Sequence, residues 1–241
     1  MPGAILSRSI VLLMVSLFVS SAHANSLPKI VFSCAYPDDL PIFQQVKSVY
    51  KTAFFNLGYD FDMIPVSTSR RSLQDSERGV IDGECGRTAD LPMLAKGTRL
   101  MKVDVLLLTT EFGIWGRSNT VRVSPEDLNK GNYSLAYYEG SLILERYIKE
   151  NHLAAQKVLS TELGLKMLAA GRFDLLLMSS DVAYEQVNQL GLSDKVVKVG
   201  VLSRHNIYPY IHSKHKALIP QLTEELKKLL PPKGIGSIDI Q

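Results

Sequence analysis

The chain has 241 residues, with 27 lysines and arginines against 24 aspartates and glutamates, so its formal net charge is +3 at neutral pH. Charges of both signs are mixed along the sequence, which argues against a nucleic-acid surface or an acidic tail. Hydrophobic residues make up 46% of the chain, enough for a packed core, and two cysteines are too few for a disulfide-rich miniprotein.

Residues 1–24 have the pattern of a secretory signal peptide. The cation Arg8 precedes an apolar run over 10–19, and residues 22–24 (Ala-His-Ala) form a small-residue cleavage site. The run is shorter than the roughly 20 residues of a membrane-spanning helix, and later apolar stretches are only strand-sized. We therefore expect export to the periplasm, which argues against a polytopic membrane protein and a cytosolic enzyme.

Strand-like and helix-like segments alternate after the signal peptide. Apolar residues recur at helical spacing before Gly58, which ends that helix, and β-branched runs flank it. In chain order the sequence predicts strand 29–34, helix 41–57, strand 59–66, helix 69–78 and strand 80–85. Alternation of this kind predicts parallel βαβ units with right-handed crossovers.

The alternation breaks over 100–115, a strand-rich segment without a helix, and then restarts. The predicted elements that follow are strand 133–138, helix 142–151, strand 157–159, helix 161–170, strand 173–178, helix 181–190, strands 196–201 and 207–212, and helix 218–230. An extended connection is typical of a chain that passes from one lobe to another. We predict an α/β protein with residues 25–110 and 204–241 in lobe 1, residues 111–203 inserted as lobe 2, and a two-strand hinge between them.

Cys34 and Cys85 each lie near the end of an apolar strand-like run. Two cysteines in an exported chain favour a disulfide, and neighbouring parallel strands would bring them within bridging distance. The alternative is a pair of separate buried thiols that pack as small apolar side chains.

Ligands of open α/β sheets bind outside the carboxyl ends of the strands, which directs attention to the loops at 35–40, 86–90, 139–141 and 179–181. Tyr36 offers a flat face, and Arg87 a planar fork of donors suited to a carboxylate or phosphate. Gly140 and Ser141 precede a helix whose free N–H groups suit an anion, and Asp181 suits a ligand cation.

Each of these residues also has a purely structural explanation. Arg87 is placed to form a surface ion pair with Glu84 or Asp90. Ser141 and Asp181 are placed to cap the helices that follow them.

Weaker signals come from Arg70, near the start of a helix, and from Trp115, on the predicted crossing strand; both are candidates for the cleft. His212 and His215 have a metal-like spacing, but no third ligand lies nearby in the sequence, so we predict a turn and no metal. Nucleophile-elbow, phosphate-loop and dinucleotide motifs are absent from the sequence, and no cofactor is predicted.

The order and spacing of several segments resemble the bacterial extracellular solute-binding proteins of family 3, the polar amino-acid type of periplasmic binding protein. The segments are RRSLQDSERGVIDGECGR, LLLTTEFGIWGR, YSLAYYEGSLILERYI, LAAGRFDLLLMSSDVA and YPYIHSKHKALIPQLTEELKKL. The resemblance covers nearly the whole chain after the signal peptide.

This resemblance implies a type II periplasmic-binding-protein fold and capture of a small anionic or zwitterionic solute by lobe closure, for ABC-type uptake or sensing. It implies ligand contacts at Arg87, Gly140, Ser141 and Asp181. The stretch 88–93 lacks the arginine that amino-acid binders usually carry, so it departs from the pattern for an ordinary α-amino acid. The implied partners are the solute and an inner-membrane permease or sensor receptor, with the protein a monomer.

The family resemblance also includes secreted cyclohexadienyl dehydratases, in which a cleft carboxylate does acid–base work. Glu84 or Glu139 would take that role here. A third possibility is a sensory or partner-docking module that signals through a membrane receptor. Our leading hypothesis is the non-catalytic binding protein.

Overall fold

The computed structural model describes residues 27–66, 68–95 and 97–235. The predicted signal peptide and residues 236–241 of the predicted first lobe lie outside the described residues. Within the described ranges, no helix is long and apolar enough to cross a membrane.

The first lobe begins with two strand–helix units, as the sequence predicts. Strand β1 lies between β2 and β3 and is parallel to both. The buried face of the first helix, which includes Phe43, Tyr50 and Phe54, packs on this sheet. The elements are β1 (Lys29–Cys34), α1 (Pro41–Asn56), β2 (Asp60–Pro65), α2 (Ser69–Glu77), β3 (Gly83–Thr88), α3 (Leu91–Leu94) and β4 (Leu100–Lys102).

Two long antiparallel strands, β5 (Leu108–Arg117) and β9 (Val196–His212), carry the chain between the lobes. The prediction of separate strands at 196–201 and 207–212 was wrong, because β9 is continuous through the polar residues between them. Those residues keep strand geometry because β5 supplies a ladder partner for each, for example Thr110 opposite His205.

The second lobe repeats the alternation and ends on β9. Its elements are β6 (Leu135–Tyr138), α4 (Leu142–Glu150), β7 (Ala155–Val158), α5 (Thr161–Ala169), β8 (Leu175–Ser179) and α6 (Ser180–Gln189), preceded by a 3-10 helix at Pro125–Lys130. After β9, a 3-10 helix at Ser213–Leu218 and α7 (Ile219–Leu229) return to the first lobe, where α7 packs against α1.

The nine strands of the described residues form one mixed sheet in the order β2-β1-β3-β9-β5-β8-β6-β7, with β4 also paired to β9. One hydrophobic core, in the first lobe, is formed by residues between 30 and 108 and between 207 and 235. Two other cores, in the second lobe, are formed by residues between 112 and 202. The predicted α/β class with two lobes is confirmed. The lobe boundaries near residues 110 and 204 stay a prediction.

Cys34 and Cys85 form a disulfide, with their Cα atoms 5.1 Å apart. The bridge joins the parallel neighbours β1 and β3, so the predicted disulfide is confirmed together with the reason given for it. It ties together the two strands whose carboxyl ends carry Tyr36 and Arg87.

The third strand starts later than the sequence predicts, which moves Arg87 from a loop into β3. The apolar pair Val80 and Ile81 suggests a strand start, but Val80 is 73% exposed and lies in a turn. The Asp82 carboxylate accepts a hydrogen bond from the Val31 backbone at 2.9 Å and fixes this turn beside β1.

Candidate functional site

A cavity of about 400 Å³ lies between the two lobes. This volume is within the range of roughly 300–1,000 Å³ that is typical of small-molecule sites. The wall from the first lobe includes Tyr36, Pro37, Ser69, Arg87, Thr88 and Leu91. The opposite wall includes Phe112, Tyr138, Ser141, Ile143 and Met178, and Thr110 of the connecting strand β5 lies between the two walls.

Arg87 lies in the first wall with only 9% of its surface exposed. Its Nε donates to the Glu84 carboxylate, and its Nη2 donates to the Ser69 carbonyl at 2.6 Å. These bonds use two of the five N–H donors of a guanidinium. They hold the group from two sides in a fixed orientation at the cavity.

A β-bulge explains how Glu84 and Arg87 meet. Residues three apart on a regular strand point to opposite faces, but here Glu84 pairs with Tyr210 and Arg87 with Tyr208. Between these two pairs β3 therefore has one residue more than β9, next to Gly86. This bulge brings the side chains of Glu84 and Arg87 to the same face of the sheet.

Glu84 is 1% exposed, and this burial raises the pKa of its carboxyl, while the charge of Arg87 acts in the opposite direction. The ion pair that the sequence allowed for Arg87 is thus present, but it is buried rather than at the surface. The Arg87 guanidinium pairs with Glu84, and Arg87 also lines the cavity.

Tyr36, Thr110 and Asp181 interact where the two lobes meet. The Thr110 hydroxyl donates to Asp181 Oδ2 at 3.3 Å. Burial and the negative charge of Asp181 raise the pKa of Tyr36, while a hydrogen bond with Thr110 acts to lower it. Burial also raises the pKa of Asp181. Asp181 is engaged with Thr110 and is not among the described residues that line the cavity.

Three polar contacts join the lobes beside the cavity. The Ser69 N–H donates to the Gly140 carbonyl at 3.1 Å, Arg70 Nη2 lies 2.6 Å from Glu145 Oε2, and Arg146 bonds to Asp90. The lobes are therefore in contact, in a closed arrangement.

Gly140 allows the backbones of the two lobes to meet at Ser69. Its φ is +94°, and a Cβ at this position would lie 2.7 Å from Cγ2 of Thr68. Thr68 in turn caps α2, since its hydroxyl accepts from the Arg71 N–H at 3.1 Å. Gly140 therefore serves lobe-to-lobe packing in the closed arrangement.

The remaining predicted residues lie as follows. Ser141 caps α4 by accepting from the Leu144 N–H at 3.4 Å, and it also lines the cavity. Trp115 is 1% exposed and packs edge-on against Tyr184, inside the second lobe. The structure thus brings Tyr36, Arg87 and Ser141 to the cavity wall, whereas Arg70, Trp115, Gly140 and Asp181 lie outside its described lining.

Sequence reasoning missed several wall residues, notably Thr110 and Phe112 on β5 and Met178 on β8. One signal was available, because positions 110 and 112 share a face of a strand that was already predicted to cross between the lobes. The adjacent Glu111 points elsewhere and binds Lys198 and Arg204 of β9, each at 2.8 Å.

No family model matches the sequence. An uncharacterized protein of Shewanella oneidensis is 23% identical over 196 residues, which covers 78% of this chain and 71% of that protein.

Solved structures match over most of the chain. A histidine kinase sensor domain with similarity to periplasmic binding proteins has a TM-score of 0.66 at 15% identity, covering 83% of this chain and 90% of that one. Holo ArgBP of T. maritima has a TM-score of 0.66 at 15% identity, covering 85% and 92%. The periplasmic VFT2 domain of Bordetella pertussis BvgS has a TM-score of 0.65 at 14% identity, covering 86% and 90%. The fold is therefore the type II periplasmic-binding-protein fold.

Proposed function

We propose that this chain is a periplasmic solute-binding protein that captures a small anionic or zwitterionic, amino-acid-like solute by closure of its two lobes. The captured solute serves ABC-type uptake or sensing through an inner-membrane permease or a sensor receptor. The protein works as a monomer, is exported by its predicted signal peptide, and performs no catalysis.

The observation that carries this proposal is the cavity with walls from both lobes and the buried guanidinium of Arg87 in one of them. A solute that touches both walls binds the closed arrangement better than an open one, and this difference in affinity drives closure. The contacts between Ser69 and Gly140 and between Arg146 and Asp90 are formed only when the lobes meet.

The similar structures support solute binding, and one of them supports sensing as its output. One of them is described as arginine-bound ArgBP, and another as a histidine kinase sensor domain. Solute capture for uptake and solute capture for sensing use the same cavity, so one binding experiment tests both.

A thermal-shift screen against amino acids, polyamines and small carboxylates tests the proposal. A ligand at 100 times its dissociation constant stabilises the folded protein by about 2.7 kcal/mol. Arg87→Ala should abolish the shift, and Arg172→Ala, which alters an exposed arginine outside the cavity, should keep it. The proposal fails if no compound shifts the wild-type protein, or if Arg87→Ala responds equally.

The second candidate is a cyclohexadienyl-dehydratase-like enzyme, favoured by the raised pKa of Glu84, because a general acid needs such a shift. However, Glu84 is not among the described residues that line the cavity, and Glu139 is bonded to Lys157 at 3.0 Å. We expect no turnover of prephenate or arogenate. Turnover that is lost in Glu84→Gln would favour the enzyme.

A further inference from the structure

We propose that the cavity selects a small carboxylate with an uncharged, apolar body, and that it rejects the α-amino acid with the same side chain. This inference rests on the proposed function and narrows its ligand from anionic or zwitterionic to anionic. The two properties of the wall that carry it are its apolar surface and its single formal charge.

The apolar surface comes from both lobes. Leu91 contributes from the first lobe, Phe112, Ile143 and Met178 from the second, and Ile207 from the connecting strand β9. The rings of Tyr36 and Tyr138 add flat faces. A hydrophilic solute would lose its hydration against such a wall, whereas an apolar body gains by leaving water.

The single charge is the guanidinium of Arg87. Among the described residues that line the cavity, no other side chain carries a formal charge. The guanidinium is already paired with Glu84, and two of its donors are bound. It therefore suits one carboxylate, bound through its remaining N–H donors, rather than a dianion.

The carboxylates on the surrounding elements lie outside the described lining, and each has at least one bonding partner in the protein, although Glu84 Oε1 and Asp90 Oδ1 are buried without one. Asp181 accepts from Thr110, Asp90 pairs with Arg146, and Glu111 pairs with Lys198 and Arg204. Glu84 is 1% exposed and lies outside the described lining. A ligand ammonium in the cavity would therefore lose its hydration and find no carboxylate in the described lining to pair with, which is costly.

A set of matched probes tests this inference by calorimetry: 3-phenylpropanoate, phenylalanine, 3-phenylpropanamide and 2-phenylethylamine. They share a phenyl group and differ in the carboxylate and the ammonium. We expect 3-phenylpropanoate to bind at least ten-fold more tightly than each of the other three. Equal or tighter binding of phenylalanine or of the amide overturns the inference.

A double variant tests the role of the arginine without leaving a buried charge unpaired. Glu84→Gln with Arg87→Met removes both members of the ion pair, and a folded double variant should bind 3-phenylpropanoate no more tightly than 3-phenylpropanamide. Arg172→Ala, outside the described lining, should keep the ten-fold preference. A preference that survives in the double variant overturns the inference.

The same titrations with arginine and glutamate separate this inference from the proposed function. If either hydrophilic amino acid binds and none of the phenyl probes does, the narrower ligand class is wrong and solute binding stands. If none of the probes, hydrophilic amino acids or compounds of the wider screen binds, both proposals fail.

Discussion

The backbone N–H of Ser69 donates to the carbonyl oxygen of Gly140 at 3.1 Å, so the first turn of α2 in one lobe is bonded to the turn before α4 in the other. Ser69 also accepts from Arg87 through its own carbonyl. One of the residues that join the lobes therefore also helps to orient the guanidinium in the cavity. Closure and the geometry of the binding wall are linked through Ser69.

Gly140→Ala should open the lobes. A Cβ at this position would lie 2.7 Å from the Thr68 side chain, so the alanine forces the turn away from α2. We expect a larger radius of gyration in X-ray scattering of the ligand-saturated variant than of the ligand-saturated wild type, and weaker binding of any ligand found in the screen.

The matched control for that variant is Gly131→Ala. Gly131 also has a positive φ, +71°, but a Cβ there meets nothing within 4 Å. Both variants carry the backbone cost of a left-handed alanine, about 1–2 kcal/mol, so only steric contact distinguishes them. An unchanged radius of gyration in Gly140→Ala, or the same increase in Gly131→Ala, would contradict the closed packing.

Asp90 and Arg146 should be energetically coupled across the cleft. Their side chains are 28% and 30% exposed, so a double-mutant cycle of Asp90→Asn and Arg146→Gln should give a coupling of about 1 kcal/mol that shrinks in 1 M salt. Chemical denaturation measures the coupling, and X-ray scattering measures the lobe separation. The exposed pair of Glu162 and Lys166 lies within α5, and breaking it should leave the lobe separation unchanged.

Glu111 should make stability depend on pH. Burial acts to raise the pKa of Glu111, but bonds from Lys198 and Ser180 outweigh it, and the pKa lies below its ordinary value of 4.5. A carboxyl whose pKa is lower in the folded state stabilises the fold above its unfolded pKa, and this contribution is lost as pH falls through the folded value.

Glu111→Gln should therefore lower the free energy of unfolding at pH 7 by roughly 1.5–3 kcal/mol, the size of a hydrogen bond to a charged group. The difference from wild type should narrow as the pH falls below 4.5. Denaturant melts across this range check the sign. If the difference in free energy of unfolding between Glu111→Gln and wild type is the same at pH 7 and below pH 4.5, the lost stability comes from packing rather than charge.

Removal of the disulfide should destabilise the first lobe and disturb the site. Cys34 and Cys85 are 51 residues apart, for which the chain-entropy model gives about 4 kcal/mol. The double variant Cys34→Ala with Cys85→Ala should lose stability of this order in denaturant melts, and ligand affinity should fall because β1 and β3 carry Tyr36 and Arg87. If the folded double variant binds ligand as tightly as the wild type, the disulfide is not needed to hold β1 and β3 in place at the site.

The alternation of elements was predictable from sequence because helical and strand periodicities are local. The Cys34–Cys85 bridge followed from the same pattern, since it needs only that β1 and β3 be parallel neighbours. The continuity of β9 was not predictable, because residues 203–206 are polar and become a strand only through pairing with β5.

The binding wall was only partly predictable for a physical reason. Arg87 could be found because it lies near the end of a predicted strand, although its bulge and its buried partner Glu84 depend on pairing with β9. Phe112 and Met178 are apolar residues in strands and look like core. Only the meeting of two lobes shows that they face a cavity.

A crystal structure grown with the tightest ligand from the screen is the most direct test of solute capture between the lobes. The account predicts ligand density inside the cavity, with an anionic group bonded to the Arg87 guanidinium and contacts to Phe112 or Met178 on the other wall. Ligand density outside the cavity, or on one wall only with the guanidinium unbound, would contradict it.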